Sequence, residues 1–168
     1  MDIFIEKIVK RRKDIKDHLI TAAVISGALL LMFIALNIEI LAGVSMFIVV
    51  GIGYGAYYFI TSRNTEYEYA VTNGDLDIDK IIAQRKRKRV FSANCKDFEI
   101  VARLKSQHYT PQYRNFKNKM DFTGYIGNDD VYFVVLHYNN QPTILFFEPS
   151  EKMLNNFKTF IPRKVFTD

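Results

Sequence analysis

Two long apolar runs stand almost back to back near the start of this chain, and they constrain its fold more than anything else in it. Residues 19–36, LITAAVISGALLLMFIAL, carry no charge, and residues 40–60 are broken only by Ser45 and glycines. Glu39 is the single formally charged side chain between Leu19 and Ile60. A bilayer core about 30 Å thick needs roughly 20 helical residues, so each run is long enough to cross it. The alternative is a pair of buried core helices, but the rest of a 168-residue chain is too small to cover both. Asn37, Ile38 and Glu39 leave room only for a very tight antiparallel turn.

The flanks set the expected orientation. Lys7, Lys10, Arg11, Arg12, Lys13 and Lys16 precede the first run, Arg63 and a dense basic stretch follow the second, and the turn has no Lys or Arg. The positive-inside rule then places both termini in the cytoplasm, as in a multi-pass protein of the cell membrane. His18 at one end and Tyr54, Tyr57 and Tyr58 at the other suit interfacial positions. The first apolar run is too long for the h-region of a cleavable signal, and a second follows at once.

Gly51-x-Gly53-x-x-Ala56 fits the glycine fingerprint of dinucleotide-binding loops. That loop needs a preceding strand and a helix N-terminus aimed at pyrophosphate, whereas these glycines lie inside a spanning segment. Gly51 and Gly55 on the second helix, like Ala23 and Gly27 on the first, are small-residue pairs one turn apart. Such pairs let backbones approach closely, within the hairpin or between copies of it. No cofactor is expected.

Residues 1–17 set Ile3, Phe4, Ile5, Ile8, Val9 and Ile15 among six basic and four acidic side chains. Two readings fit: an amphipathic helix on the inner leaflet, or a plain extension of the first membrane helix. From residue 62 onward the pattern is that of a strand-rich domain. TEYEYAVT alternates, Asn73-Gly74 is a hairpin turn, and DLDIDKII alternates again. A third strand is expected over residues 87–94, a short helix over KDFEIVARL, and a long loop over residues 105–120, with at most one irregular strand. Strands resume at DFTGYIG, VYFVVLHY and TILFFE, and a helix opening at Pro149-Ser150 places Met153, Leu154, Phe157 and Phe160 on one face until Pro162 ends it. The expected organisation is a cytoplasmic N-terminal segment (1–17), a transmembrane hairpin (18–61) and a cytoplasmic β domain (62–168).

That order resembles the bacterial pleckstrin-homology-like (PH-like) domains: a Tyr-rich first strand ending in VTNG, an acidic DLDIDKI, a basic RKRKR and a closing helix. With the preceding hairpin, the chain is similar to small bacterial membrane proteins that carry such a domain. The resemblance implies an α+β fold, a partly open antiparallel β-barrel capped by its C-terminal helix. It also implies binding of lipid or protein and brings no catalytic residues.

The strongest candidate for chemistry is Arg85-Lys86-Arg87-Lys88-Arg89. Near an anionic leaflet each cation gains about 1 kcal/mol, so the run can dock the domain on lipid headgroups or grip an anionic partner. A solvated hairpin edge, protected from edge-to-edge pairing by its charge, is the competing reading. Tyr109, Tyr113, Arg114, Phe116 and Lys117 form a second candidate interface in the 105–120 loop, unless those aromatics simply pack on the sheet. Nucleic acid is not expected as a partner: residues 62–168 hold 17 basic against 13 acidic side chains, too mild an excess, and no reader motif accompanies them.

Enzymatic chemistry has little support. His18, His108 and His137 lack metal-ligand spacing. Cys95 has no partner in sequence, and Asp75, Asp77 and Asp79 read as a solvated strand face rather than a cation site. No ionisable residue lies at mid-membrane depth. The expected role is a non-enzymatic, membrane-tethered binding or assembly module contacting anionic lipid headgroups, a protein partner or a second copy. An accessory subunit of a larger transport or secretion complex is the alternative.

Overall fold

The computed structural model describes residues 4–167. The chain divides into two units, one comprising residues through Arg11 together with Glu66 onward, the other Arg12–Thr65.

The helical unit is an antiparallel pair. α1 (Ile15–Asn37) starts at an Asp14 cap, whose side chain accepts from the Ile15 N–H while Asp17 accepts from the Asp14 N–H. α2 (Ser45–Ser62) returns alongside it, and Arg63 closes the open end on Asp17 at 2.5 Å. At 1.5 Å per residue the two helices are about 34 and 27 Å long, enough to cross a bilayer. Their apolar side chains point outward: Leu29, Phe33, Met46 and Phe47 are all exposed, so neither helix is buried within this chain. The connection is longer than a three-residue turn, because a 3₁₀ turn at Glu39–Leu41 and residues 42–44 precede α2.

The β unit contains two four-stranded sheets. The first has the order β1 (Phe4–Lys10), β2 (Thr65–Thr72), β3 (Asp75–Ile82), β4 (Lys86–Asn94). The second runs β5 (Phe98–Arg103), β7 (Tyr132–Tyr138), β8 (Gln141–Phe147), β6 (Asn118–Asp121), and it is mixed because β6 lies parallel to β8. Tyr69, Leu76, Ile78 and Phe91 of the first sheet meet Phe98, Val134, Leu145 and Phe147 of the second in one core. Helix α4 (Glu151–Phe160), capped by Ser150, adds Met153, Leu154 and Phe157 to it.

Four expectations from the sequence are corrected. Residues 4–10 are a strand, not a helix, paired antiparallel to β2 from Phe4↔Thr72 to Lys10↔Glu66. Ile5 and Val9 face inward, but so does Lys7, whose Nζ reaches the Pro149 carbonyl, and that lysine hides the alternation. Ile3 lies outside the described residues. The strand therefore joins the β domain, which does not start at residue 62. KDFEIVARL holds strand β5 rather than a helix: a register shift between Phe98 and Ile100 turns both Phe98 and Val101 into the core, and the bulge mimics helical spacing. DFTGYIG is not a strand beyond Asp121 but a loop.

Both β7 and β8 are nearly continuous apolar runs because their sheet is covered on two sides. One side is the main core. The other carries Ala102, Phe133, Ile144 and Phe146 under Leu104, Tyr109, Tyr113 and Phe116. The 105–120 stretch contains a single helical turn, α3 (Pro111–Arg114).

Candidate functional site

The basic run lies on the β3–β4 hairpin, and the structure divides it by residue type. Arg87 reaches across β3 to Glu68 at 2.5 Å, and Arg89 pairs with Asp77 at 2.7 Å and also with Asp79. Glu68 and Asp79 are almost fully covered, so these arginines neutralise carboxylates that would otherwise be buried alone. Asp77 and Asp75 also accept from Ser92 and Asn94, each at 2.6 Å. The acidic stripe of β3 is thus matched to β4 and is not a free face.

The lysines take the other side. A register shift at Ile78/Asp79 leaves Val90 as the extra residue, after which Lys80 stands directly opposite Lys88, and Ile82 opposite Lys86. Like charges facing one another across strands are destabilising. Among the described residues no carboxylate lies within 4.0 Å of Lys80, Lys86 or Lys88. Arg85 follows the turn itself, where Ala83 and Gln84 both hold left-handed backbone, at φ 54° and 56°. This is the turn geometry that Asn-Gly normally supplies.

The hairpin tip shares one end of the sheet with the points where the chain leaves β1 and enters β2. Gln84 Nε2 donates to Glu66 Oε1 at 3.4 Å, and Glu66 also meets Lys10 at 3.7 Å. The segment 12–64 therefore departs from, and returns to, the end of the sheet that carries the unpaired lysines.

A latched loop adjoins the same end. The buried carboxylate of Glu148 accepts from the Gly124 N–H at 2.7 Å, the Tyr125 N–H at 3.3 Å and Asn128 Nδ2 at 3.3 Å. Behind it the Tyr69 hydroxyl donates to the Phe122 carbonyl at 2.6 Å, and burial holds that hydroxyl in its protonated form well into the alkaline range. Gly124 presses on β1 so closely that a Cβ there would lie 2.6 Å from the Lys10 carbonyl. The loop presents Tyr125 and Ile126 to solvent, 49% and 43% exposed. Sequence reasoning missed this loop. Its one legible signal was the paired glycines of TGYIG, read as part of a strand.

The 105–120 candidates lie elsewhere, over the outer side of the second sheet. Tyr109 and Tyr113 pack on Phe133 with ring centroids 5.2 and 5.7 Å apart, Phe116 meets Tyr113, and Arg114 stacks over Tyr109. Lys117 sits beside them in sequence, just before β6. The aromatics are thus committed to packing, on a different sheet from the basic run. Nearby, a cleft of about 610 Å³ is lined by Arg103, Lys105, Ser106, Gln107, His108 and Asp129. Its charges are largely answered, since Arg103 donates to the Tyr132 hydroxyl and Lys105 pairs with Asp129, holding that carboxyl below its usual value.

Within the hairpin, the glycine facing the partner helix is Gly53, where a Cβ would lie 3.3 Å from the Met32 methyl. Gly27, Gly51 and Gly55 have nothing within 4 Å of a Cβ position, and Ala23 is exposed, so these four do not mediate packing between α1 and α2. Cys95 is buried beneath Gly74, where burial pushes its thiol up. Among the described residues no group of three or more His, Cys, Asp or Glu is arranged to hold a metal.

Neither a curated protein nor a solved structure matches this chain. Residues 1–167 match the family described as Bacterial PH-like domain (DUF6106), and the match includes strand β1 and both apolar helices as well as the later sheets. The chain belongs to this bacterial PH-like domain family.

Proposed function

We propose that this protein is a non-enzymatic, membrane-tethered binding module. Its two helices cross the cell membrane as a hairpin with both ends cytoplasmic, and its PH-like domain, a partly open barrel, docks on anionic lipid headgroups. The observation that carries this reading is the split of the basic run at one end of the first sheet. Arg87 and Arg89 neutralise buried carboxylates, while Lys80, Lys86 and Lys88 have no carboxylate partner among the described residues, beside the points where the chain departs for the apolar helices. A like-charge pair held in register costs folding energy, and an anionic surface would remove that cost.

Lysine acetylation of the full chain in neutral and in anionic vesicles tests the reading. Slower labelling of Lys80, Lys86 and Lys88 in anionic vesicles, reversed by salt, supports it. Equal labelling in both vesicle types sinks it and moves the function to a protein partner. The accessory-subunit reading keeps one observation in its favour: Ala23, Gly27, Gly51 and Gly55 look away from the partner helix. Enlarging these residues would break a complex built on them and leave lipid docking intact.

A further inference from the structure

The Glu148-latched loop is the feature that neither the family match nor the basic run explains. Short surface turns are usually polar and mobile, yet this one presents an aromatic and a β-branched aliphatic side chain while being held on three donors by one buried carboxylate. The Asn128 N–H closes a turn on the Tyr125 carbonyl at 3.1 Å, and the Tyr125 ring lies over Gly127, where any Cβ would meet it at 2.4 Å. A carboxylate accepting several N–H groups in a buried setting fixes a loop in place, so Tyr125 and Ile126 lose little freedom when they meet a partner.

Its position names the partner. Gly124 touches Lys10, the last residue of β1, and only residues 11–14 separate Lys10 from the first residue of the apolar helix α1. Lys10 and Ile15 are five residues apart, so the loop's anchor point is tethered within about 18 Å of Ile15. The intervening residues are Arg11, Arg12, Lys13 and Asp14, mostly basic, as suits a headgroup layer of negative charge. Tyrosine is favoured where one end of the side chain is apolar and the other wet.

We propose that Tyr125 and Ile126 insert into the interfacial layer of the same membrane that the helices cross, forming an apolar contact beside the lysine-rich hairpin tip. This rests on the membrane-tethered reading and adds the surface by which the domain is seated. It makes docking a two-part event, with lysines on phosphates and a rigid Tyr-Ile wedge beneath them. Salt weakens only the first part.

The chain contains no tryptophan, so a single introduced indole reports on its own position. The full chain is reconstituted in vesicles containing lipid brominated high on the acyl chain, with the indole placed by Ile126→Trp, by Leu29→Trp within α1, or by Phe160→Trp. Phe160 lies against Gly74, at the opposite end of the first sheet. The expected result is quenching of Ile126→Trp at least half as strong as that of Leu29→Trp, with Phe160→Trp unquenched. Tyr125→Trp repeats the measurement at the neighbouring position. If Leu29→Trp is quenched but neither loop variant exceeds Phe160→Trp, the wedge is overturned while the membrane reading stands. If Leu29→Trp is itself unquenched, the membrane reading fails and takes the wedge with it.

Discussion

Lys10 and Glu66 face one another across the β1–β2 ladder and meet as an ion pair at 3.7 Å, although the whole apolar hairpin lies between them in sequence. The first sheet is therefore assembled from both sides of that insertion. Its two ends must lie on the same side of any membrane the helices cross. The pairing supports this independently of the distribution of lysine and arginine.

Excision should leave a folded domain. Joining Arg11 to Thr65 through Asn-Gly continues the observed register with a two-residue hairpin loop. The product is expected to be soluble without detergent and to unfold cooperatively by circular dichroism. A fragment beginning at residue 62 loses Ile5 and Val9 from the core and exposes the edge of β2, and should be less stable by about 2–4 kcal/mol.

The β3–β4 turn is strained where it need not be. Ala83 and Gln84 occupy left-handed backbone that Asn and Gly adopt more cheaply. Replacing them with Asn and Gly should raise unfolding stability by about 1–2 kcal/mol in urea titration, even though Gln84 gives up its contact to Glu66. No gain would mean that the turn's geometry is set by packing around it.

Arginine and lysine in the basic run should behave oppositely. Arg89→Gln strands the covered Asp79 carboxylate and is expected to cost about 1–3 kcal/mol. Lys88→Gln relieves its opposition to Lys80, so stability should be unchanged or slightly higher. In flotation of the excised domain with anionic vesicles, the lysine variant should be the one that loses binding. Equal loss in both would point to net charge alone.

The glycines should separate by what surrounds them. Gly124→Ala drives a methyl into the Lys10 carbonyl and the Val9 side chain and should cost about 1–3 kcal/mol. Gly127→Ala meets only the Tyr125 ring, which can swing aside, and should cost less. Gly27→Ala and Gly51→Ala enter open space and should leave thermal stability nearly unchanged.

Alkali should unfold the domain in a traceable way. Burial raises the Tyr69 hydroxyl and the Cys95 thiol above their ordinary values. Both lose their protons more readily in the unfolded chain, so their contribution is fully present below the unfolded pKa. It declines as pH rises past about 9–10. Tyr69→Phe should lower stability at neutral pH by about 1 kcal/mol, through its lost bond to the Phe122 carbonyl, yet flatten the alkaline slope of melting temperature against pH.

Local chemistry made part of this protein readable from its sequence. Unbroken apolar runs are long enough for α1 and α2 whatever surrounds them, Asn73-Gly74 closes a hairpin by its own backbone preference, and Ser150 caps α4 ahead of its apolar face. Tertiary structure decided the rest. Residues 4–10 become a strand only because β2 supplies the ladder from beyond the helices, and an inward Lys7 erases the alternation that would have announced it. A bulge at Phe98/Ile100 disguised β5 as a helix. The division of the basic run into structural arginines and unpaired lysines depends on a one-residue register shift opposite Val90, and the TGYIG loop depends on a carboxylate brought from Glu148. Propensity and periodicity are properties of neighbours in the chain. Strand partners, register and the fate of a charge are set by residues that become neighbours only when the sheets close.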